Sequence, residues 1–285
     1  MLGLITTKQK KMNKYPIYII SKGRYENPLT ARALKLNGID FKIVVEPQEY
    51  DLYSKTIDVK NIIVTPFSNL GKGSIPVRNF VWEHSIKNGY KKHWVLDDNI
   101  MKFMRLHNNK RIQCRSNMVF KILEDFVDRY ANIGLAGMNY QNFAHDRVEM
   151  PPYKLNTRIY SCILIDNSLP FKWRGKYNED TDLSLRVLKS GLSTILFNCL
   201  LIDKTGTGRN DGGNKDIYNE TNNRKEFTES LIEQHPDVVK MTEKFGRFHH
   251  HVNYKPFKYN KLVLKENINI VNKNTDFDMK LVKIV

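Results

Sequence analysis

The sequence predicts an α/β protein with a central, mostly parallel sheet covered by helices on both faces, and three observations carry that prediction. Short continuous apolar runs at 16–20, 41–45, 61–64 and 94–96 have the length and lack of alternation of strands buried on both sides. Stretches of helical period separate several of them, and Gly38, Gly89 and Gly191 stand where such stretches stop, as the residue that most easily closes a helix. Strand and helix alternating at this spacing build parallel units rather than hairpins.

Taken in order, residues 1–14 hold four Lys and little else of note, which predicts a flexible basic tail, with folding beginning at Tyr15. The first strand, 16–20, runs into the loop Ser21-Lys22-Gly23-Arg24. A helix over 28–37 follows, then strands at 41–45 and 61–64. The helix over 74–88 precedes the strand 94–96, and directly after that strand comes Asp97-Asp98-Asn99. Residues 116–130 form a helix with Val119, Leu123, Phe126 and Val127 on one face. Strands are expected at 132–137 and 158–165, a helix over 181–190 with Leu183, Val187 and Leu188 facing inward, and a strand at 193–197. Beyond it, residues 206–214 make a glycine-rich loop of the kind that orders around a ligand.

Composition narrows the function classes. At 285 residues, 41% hydrophobic and 27% charged, the chain is an ordinary globular protein. No apolar run approaches the ~20 residues that cross a bilayer, and the N-terminus lacks a signal peptide's apolar core, so a cytoplasmic protein without a membrane partner is expected. Cys114, Cys162 and Cys199 stand far apart without zinc spacing and are expected to be reduced and buried. Lys and Arg number 46 against 30 Asp and Glu, a net charge of +16, which favours a polyanionic partner over a purely small-molecule enzyme.

In an open parallel sheet, ligands bind beyond the carboxyl ends of the strands, where Ser21 to Arg24, Glu46 and the acidic triplet all fall. Two carboxylates and an amide after a buried strand make an oxygen-rich site suited to Mg²⁺ or Mn²⁺ with substrate phosphates; a plain turn is the alternative. Arg24 and Arg78, with Lys22 in support, have the chemistry to hold a diphosphate. Glu46 and Gln48 stand where a nucleobase would meet the second strand, with Tyr50 available to stack.

The run Gly71-Lys72-Gly73-Ser74-Ile75-Pro76-Val77-Arg78-Asn79, a helix, a strand and the triplet resemble, in that order, nucleotide-sugar glycosyltransferases of the GT-A fold. Downstream, Asn178-Glu179-Asp180-Thr181-Asp182 with Gly191 resembles the acidic motif opening the acceptor-side helix of inverting members. A narrower resemblance covers most of the chain. Pro16 to Arg24, Val44 to Tyr50, His93 to Asn99, Gly212-Gly213-Asn214 with Tyr218, and Arg247 to Tyr254 are similar to the TET-associated glycosyltransferases of bacteriophages.

That resemblance implies a nucleotide-sugar donor, UDP-linked by expectation, and transfer to the hydroxymethyl group of a 5-hydroxymethylpyrimidine in phage DNA, 5-hydroxymethylcytosine favoured. It implies donor contacts from Ser21, Lys22, Arg24, Glu46, Arg78, Asn79, Asp97 and Asp98, with Mn²⁺ or Mg²⁺ held among Asp97, Asp98, Asn99 and His250, and His249 or His251 as alternatives to the last. Asn99 departs from the usual Asp-x-Asp pattern, an amide being the weaker ligand. A primary alcohol needs a positioned base to attack at neutral pH; Asp180 is that candidate, with Glu179 and Asp182 in support, and Asp182 alternatively capping its helix. Trp173, Arg209, Gly212, Gly213 and Asn214 are the acceptor-side candidates, together with Tyr140, Phe143 and the loop 204–215, for holding an extruded base or a single strand.

The expected plan is one GT-A-like catalytic domain over 15–255, divided into a nucleotide-sugar half (15–110) and an acceptor half (111–255), with a C-terminal extension over 256–285. Two other readings compete: a GT-A enzyme acting on a glycan or protein, and an inactive relative that only binds DNA.

Overall fold

The computed structural model describes residues 13–145, 149–175, 177–205, 223–244, 246–266 and 268. Twelve strands and six helices are defined among them. The first four strands, β1 (Ile17–Ile20), β2 (Lys42–Val45), β3 (Ile62–Val64) and β4 (Lys92–Asp97), are the four apolar runs of the sequence. The helices α1 (Leu29–Leu36), α2 (Tyr50–Tyr53) and α3 (Ile75–Lys87) lie between them. Gly38 and Gly89 follow α1 and α3 with φ of +64° and +74°, the left-handed backbone that glycine adopts without strain.

The remaining strands are β5 (Ile100–His107), β6 (Lys110–Gln113), β7 (Ile133–Tyr140), β8 (Tyr153–Leu155), β9 (Cys162–Asp166), β10 (Ser193–Lys204), β11 (Val239–Lys244) and β12 (Arg247–Val252). With them come the helices α4 (Val119–Val127), α5 (Glu179–Lys189) and α6 (Asn223–Gln234). The main sheet has the order β3-β2-β1-β4-β9-β7-β10-β5-β6, with β8 also pairing β10. Six of its seven central strands point one way; β9, antiparallel to both β4 and β7, is the reversed one. This is a GT-A-like α/β arrangement, as the sequence leads one to expect.

Alternate residues of each central strand feed opposite faces, as the two-residue repeat requires. Ile17, Ile19, Trp94 and Leu96 pack with Ala31 and Leu34 of α1 and with Val119, Phe120 and Leu123 of α4. Tyr18, Ile20 and Val95 pack on the other face with Val81 and Trp82 of α3 and with Leu183 and Val187 of α5. Another side of α5, through Leu185 and Leu188, meets Leu231 of α6 together with Val238, Val239 and Phe257. The helix that carries Asp180 is thus gripped on two sides.

Several boundaries differ from expectation for physical reasons. Most of the expected tail, residues 1–12, lies outside the described residues, and Lys14 at its end is anchored: its N–H donates to Glu124 at 2.6 Å and its ammonium meets Asp125 and Asp128. The C-terminal stretch does dock, with Leu264 bridging Tyr130 and Phe257 buried. Cys114 and Cys162 are buried free thiols, whereas Cys199 is half-buried. No helix among the described residues is long and apolar enough to cross a membrane.

Candidate active site

The parallel strands β1, β2 and β4 deliver Ser21, Glu46 and Asp97 to the same edge of the sheet. The loop after β1 is cinched from below. Ser21 Oγ shares a hydrogen bond with Tyr53 Oη at 2.6 Å and donates to Asp98 Oδ2 at 2.8 Å, and Gly23 N–H donates to Glu49 at 2.7 Å. Lys22 and Gln48 both donate to Glu46 Oε2, at 2.9 and 2.6 Å. Burial alone would raise the Glu46 carboxyl, but these bonds hold it below the usual carboxylate range.

The triplet itself is knitted into cations. Asp97 Oδ1 accepts from Arg78 at 3.2 Å; its Oδ2 accepts from Lys204 Nζ at 2.6 Å and Ser161 Oγ at 2.7 Å. Against the cost of burial, Lys204 and Arg78 pull the Asp97 carboxyl down to about 2. Asp98 pairs with Arg24, yet burial dominates there and leaves its carboxyl above the ordinary value. Asn99 is buried, and its amide donates to the Thr205 carbonyl at 3.3 Å while its Oδ1 has no partner among the described residues.

Arg78 joins the triplet to the helix that follows the acceptor motif. Its Nε donates to Ser74 Oγ at 3.1 Å and lies 3.5 Å from Glu179 Oε1, which itself accepts from Ser74 Oγ at 2.7 Å. Arg78 Nη1 is buried without a partner among the described residues. The guanidinium rests 4.7 Å from the centre of the Trp173 ring. Asp180, beside Glu179, has Arg158 Nε at 4.0 Å and receives the Thr181 N–H at 2.7 Å. Between the two clusters stands Tyr140, whose hydroxyl bonds Ser161 at 2.6 Å. Burial raises its pKa most, and the nearby charges of Asp97 and Asp180 add to that. One phenol therefore feels both carboxylates, and a chain of side chains from Asp97 through Ser161, Tyr140, Tyr160 and Arg158 leads to Asp180.

Other expectations are displaced. Asp182 is not at the cleft: its carboxylate is almost fully buried and meets Arg174 at 3.1 Å, Arg186 at 2.6 Å and His235 Nε2 at 2.9 Å, so it pins α5 to its surroundings. Trp173 is 2% exposed and edge-on to Trp82, a core ring that supports Arg78 rather than an acceptor platform. Asn79 spends both ends of its amide on the Trp173 backbone, at 2.9 and 3.0 Å, which makes it a brace. Arg209, Gly212, Gly213 and Asn214, like most of the loop 204–215, fall outside the described residues.

The donor set as built does not fit a divalent cation at the triplet. Both carboxylates already face fixed cations, Lys204 and Arg78 on Asp97 and Arg24 on Asp98, and an incoming ion would have to displace or adjoin three positive charges. Among the described residues no three His, Cys, Asp or Glu side chains converge at ligand distance. The histidines of the Arg247 to Tyr254 stretch lie on β12, paired with β11. Burial and the charge of Arg158 hold His250 down at about 4, with Asp180 opposing, so it belongs with Asp180 and Arg158.

Sequence reasoning did not find Ser161 or Arg158 as members of the site, and it placed Lys204 only at the start of the acceptor-side loop 204–215, not on Asp97. Their partners come from 43 to 107 positions away or across α5, and only Lys204 carried a signal, as a cation ending a long apolar strand.

Cations clustered at the strand ends of a GT-A-like sheet, tied through Arg78 to the acidic start of α5, are an arrangement consistent with a glycosyltransferase. The family model for TET-associated glycosyltransferases matches residues 15–213, and the chain belongs to that family. Among solved structures it is similar to a candidate nucleotide-diphospho-sugar transferase from Desulfovibrio desulfuricans G20, at 10% identity and a TM-score of 0.37 over 65% of this chain and 80% of the other. No curated protein matches.

Proposed function

We propose that the protein transfers a sugar from a nucleoside diphosphate, uridine favoured, to the hydroxymethyl group of a 5-hydroxymethylpyrimidine in DNA, 5-hydroxymethylcytosine favoured, with inversion at the anomeric carbon. The observation that carries this reading is the bridge made by Arg78 between Asp97 and Glu179, which ties the strand-end cations to the residue before Asp180; we read the two clusters as the two sides of one cleft. In such a displacement the acceptor oxygen forms the new bond to the anomeric carbon and gives its proton to Asp180. The bond from that carbon to the diphosphate breaks, and its electron pair stays on the phosphate oxygen. Arg78 Nη1, buried and without a partner among the described residues, is suited to receive that growing charge, because fixed donors in a low-dielectric site stabilise developing anions without reorganising. Asn99 Oδ1, likewise without a partner among the described residues, is an acceptor free to take a hydroxyl of the donor.

The protein, a panel of nucleotide sugars and duplex DNA containing 5-hydroxymethylcytosine or 5-hydroxymethyluracil are incubated, and the DNA is digested and its nucleosides weighed. A nucleoside heavier by one sugar residue supports the proposal. Donor hydrolysis with every nucleoside unchanged would reject DNA as the acceptor.

A further inference from the structure

A single-sign stretch of the chain starts where the triplet ends. Between Asp98 and Glu124 there is no acidic residue, while Lys102, Arg105, Lys110, Arg111, Arg115 and Lys121 all occur. Much of this stretch is the β5–β6 hairpin. Its base is at the cleft, since Ile100 pairs with Lys204. Its tip is a two-residue Asn108-Asn109 turn with φ of 47° and 60°, closed by His107 opposite Lys110, a tight turn that holds its strands rigidly.

Along this hairpin Lys102, Lys110, Arg111 and Arg115 are exposed, and β6 is exposed at every residue as the outermost strand of the sheet. None of the four pairs with a carboxylate among the described residues. Edge strands often carry a lysine to prevent pairing with another chain. That role explains one or two charges on β6, and Lys102 lies opposite Asp203 of β10, which leaves Arg115, outside the edge strand, without such a reason.

The hairpin is also tied to an aromatic step leading back to the cleft. Arg111 donates to the carbonyl of Gln141 at 3.3 Å, in the short turn that ends at Phe143. Phe143 is 53% exposed, and its ring packs 5.6 Å from Tyr140, whose hydroxyl reaches Asp97 through Ser161. An exposed phenylalanine between exposed cations and a buried carboxylate site suits an occupant with phosphates on one side and a flat ring on the other.

We infer that the β5–β6 hairpin is the rail on which the phosphate backbone of double-stranded DNA docks, with Phe143 stacking on the nucleotide presented to the cleft. The inference rests on DNA being the acceptor. Eight residues of β5 span about 27 Å, which matches roughly eight base pairs of duplex, so the rail and the helix are commensurate over its length. Cations on such a rail bind backbone and carry no sequence preference. Phe143, by contrast, acts on the single base at the site and contributes through stacking.

The test uses the full chain and fluorescence anisotropy with one labelled duplex, prepared with and without 5-hydroxymethylcytosine, across a range of KCl. Wild type is compared with the triple variant Lys110→Gln/Arg111→Gln/Arg115→Gln and with Phe143→Ala; affinity for a nucleoside diphosphate reports whether each variant retains its donor site. The triple variant is expected to bind both duplexes at least tenfold more weakly, with a log–log salt slope shallower by roughly two to three, while nucleoside diphosphate binding is unchanged. Phe143→Ala is expected to keep most of its duplex affinity and to lose at least tenfold in sugar transfer. Equal affinity and slope for wild type and triple variant overturn the rail while DNA remains the acceptor. Aggregation of the triple variant without loss of affinity assigns the charges to edge protection and equally overturns it. A wild type that binds no duplex at any salt overturns the DNA acceptor and the rail together.

Discussion

Asp97 ends β4 and Asp180 stands in the first turn of α5, and their surroundings prepare them for opposite work. Asp97 has two cations and a hydroxyl on its two oxygens, so its charge is already answered and it can only orient. Asp180 has one guanidinium at 4.0 Å and a local N–H, which leaves it able to take a proton from an acceptor. Changing Asp180→Asn is expected to lower kcat by on the order of 10²–10⁴ with little change in nucleoside diphosphate affinity; turnover within threefold of wild type would remove Asp180 as the base. The same contrast bears on metal. Because Lys204, Arg78 and Arg24 occupy the triplet, donor binding measured by calorimetry is expected to persist in excess EDTA and to change less than about threefold on adding Mn²⁺. Binding that appears only with Mn²⁺ would mean the three cations move aside when donor arrives.

At the scale of elements, β7 and α5 set the spacing of the cleft, and both depend on close approach. A Cβ at Gly137 of β7 would lie 2.5 Å from the Cys162 carbonyl oxygen of β9 and 2.5 Å from Ile159 Cγ2. The first of those is backbone in the middle of the sheet and has nowhere to go. Gly137→Ala is therefore expected to destabilise the fold by several kcal/mol, about 3 by the usual cost of an overpacked core, seen as a lowered denaturation midpoint; an unchanged midpoint would show that β9 shifts freely. Helix α5 is held by Asp182, where Arg174, Arg186 and His235 converge, and this is why a residue next but one to the proposed base has no route to substrate. The acidic run Glu179, Asp180, Asp182 was legible as a functional helix start, since all three lie in its first turn. Which of them faced the cleft was not, because that depends on packing against α6, an element the sequence did not announce: it is polar along much of its length. The strands β1 to β4 were legible as continuous apolar runs. Strands β5, β6, β11 and β12 were not, since their exposed faces break the apolar run and three successive histidines in β12 resemble ligands more than they resemble a hairpin.

Over the whole molecule, a net charge of +16 means that acidification adds like charge to a fold already under self-repulsion, and the histidines decide where that begins. His93 is fully buried on β4, with Nδ1 2.6 Å from Asn167 Oδ1 and Nε2 unpartnered among the described residues. Burial, set against the bond to Asn167, lowers its pKa from 6.5 to about 4. A base with a depressed pKa in the fold binds its proton more readily when unfolded, so between those values the unfolded chain is the more protonated state. Stability is then expected to be complete above pH 6.5 and to fall as pH drops toward 4, by up to about 3 kcal/mol from His93 alone, before Asp97 adds its own loss below 3.8. Chemical denaturation followed at a series of pH values measures this directly. In His93→Gln, whose amide can still donate to Asn167 but does not titrate, the slope between pH 6.5 and 4 is expected to shrink by that amount. A slope identical to that of wild type would place the titrating group elsewhere, with His250, held down at about 4 by burial and Arg158, the next to exchange.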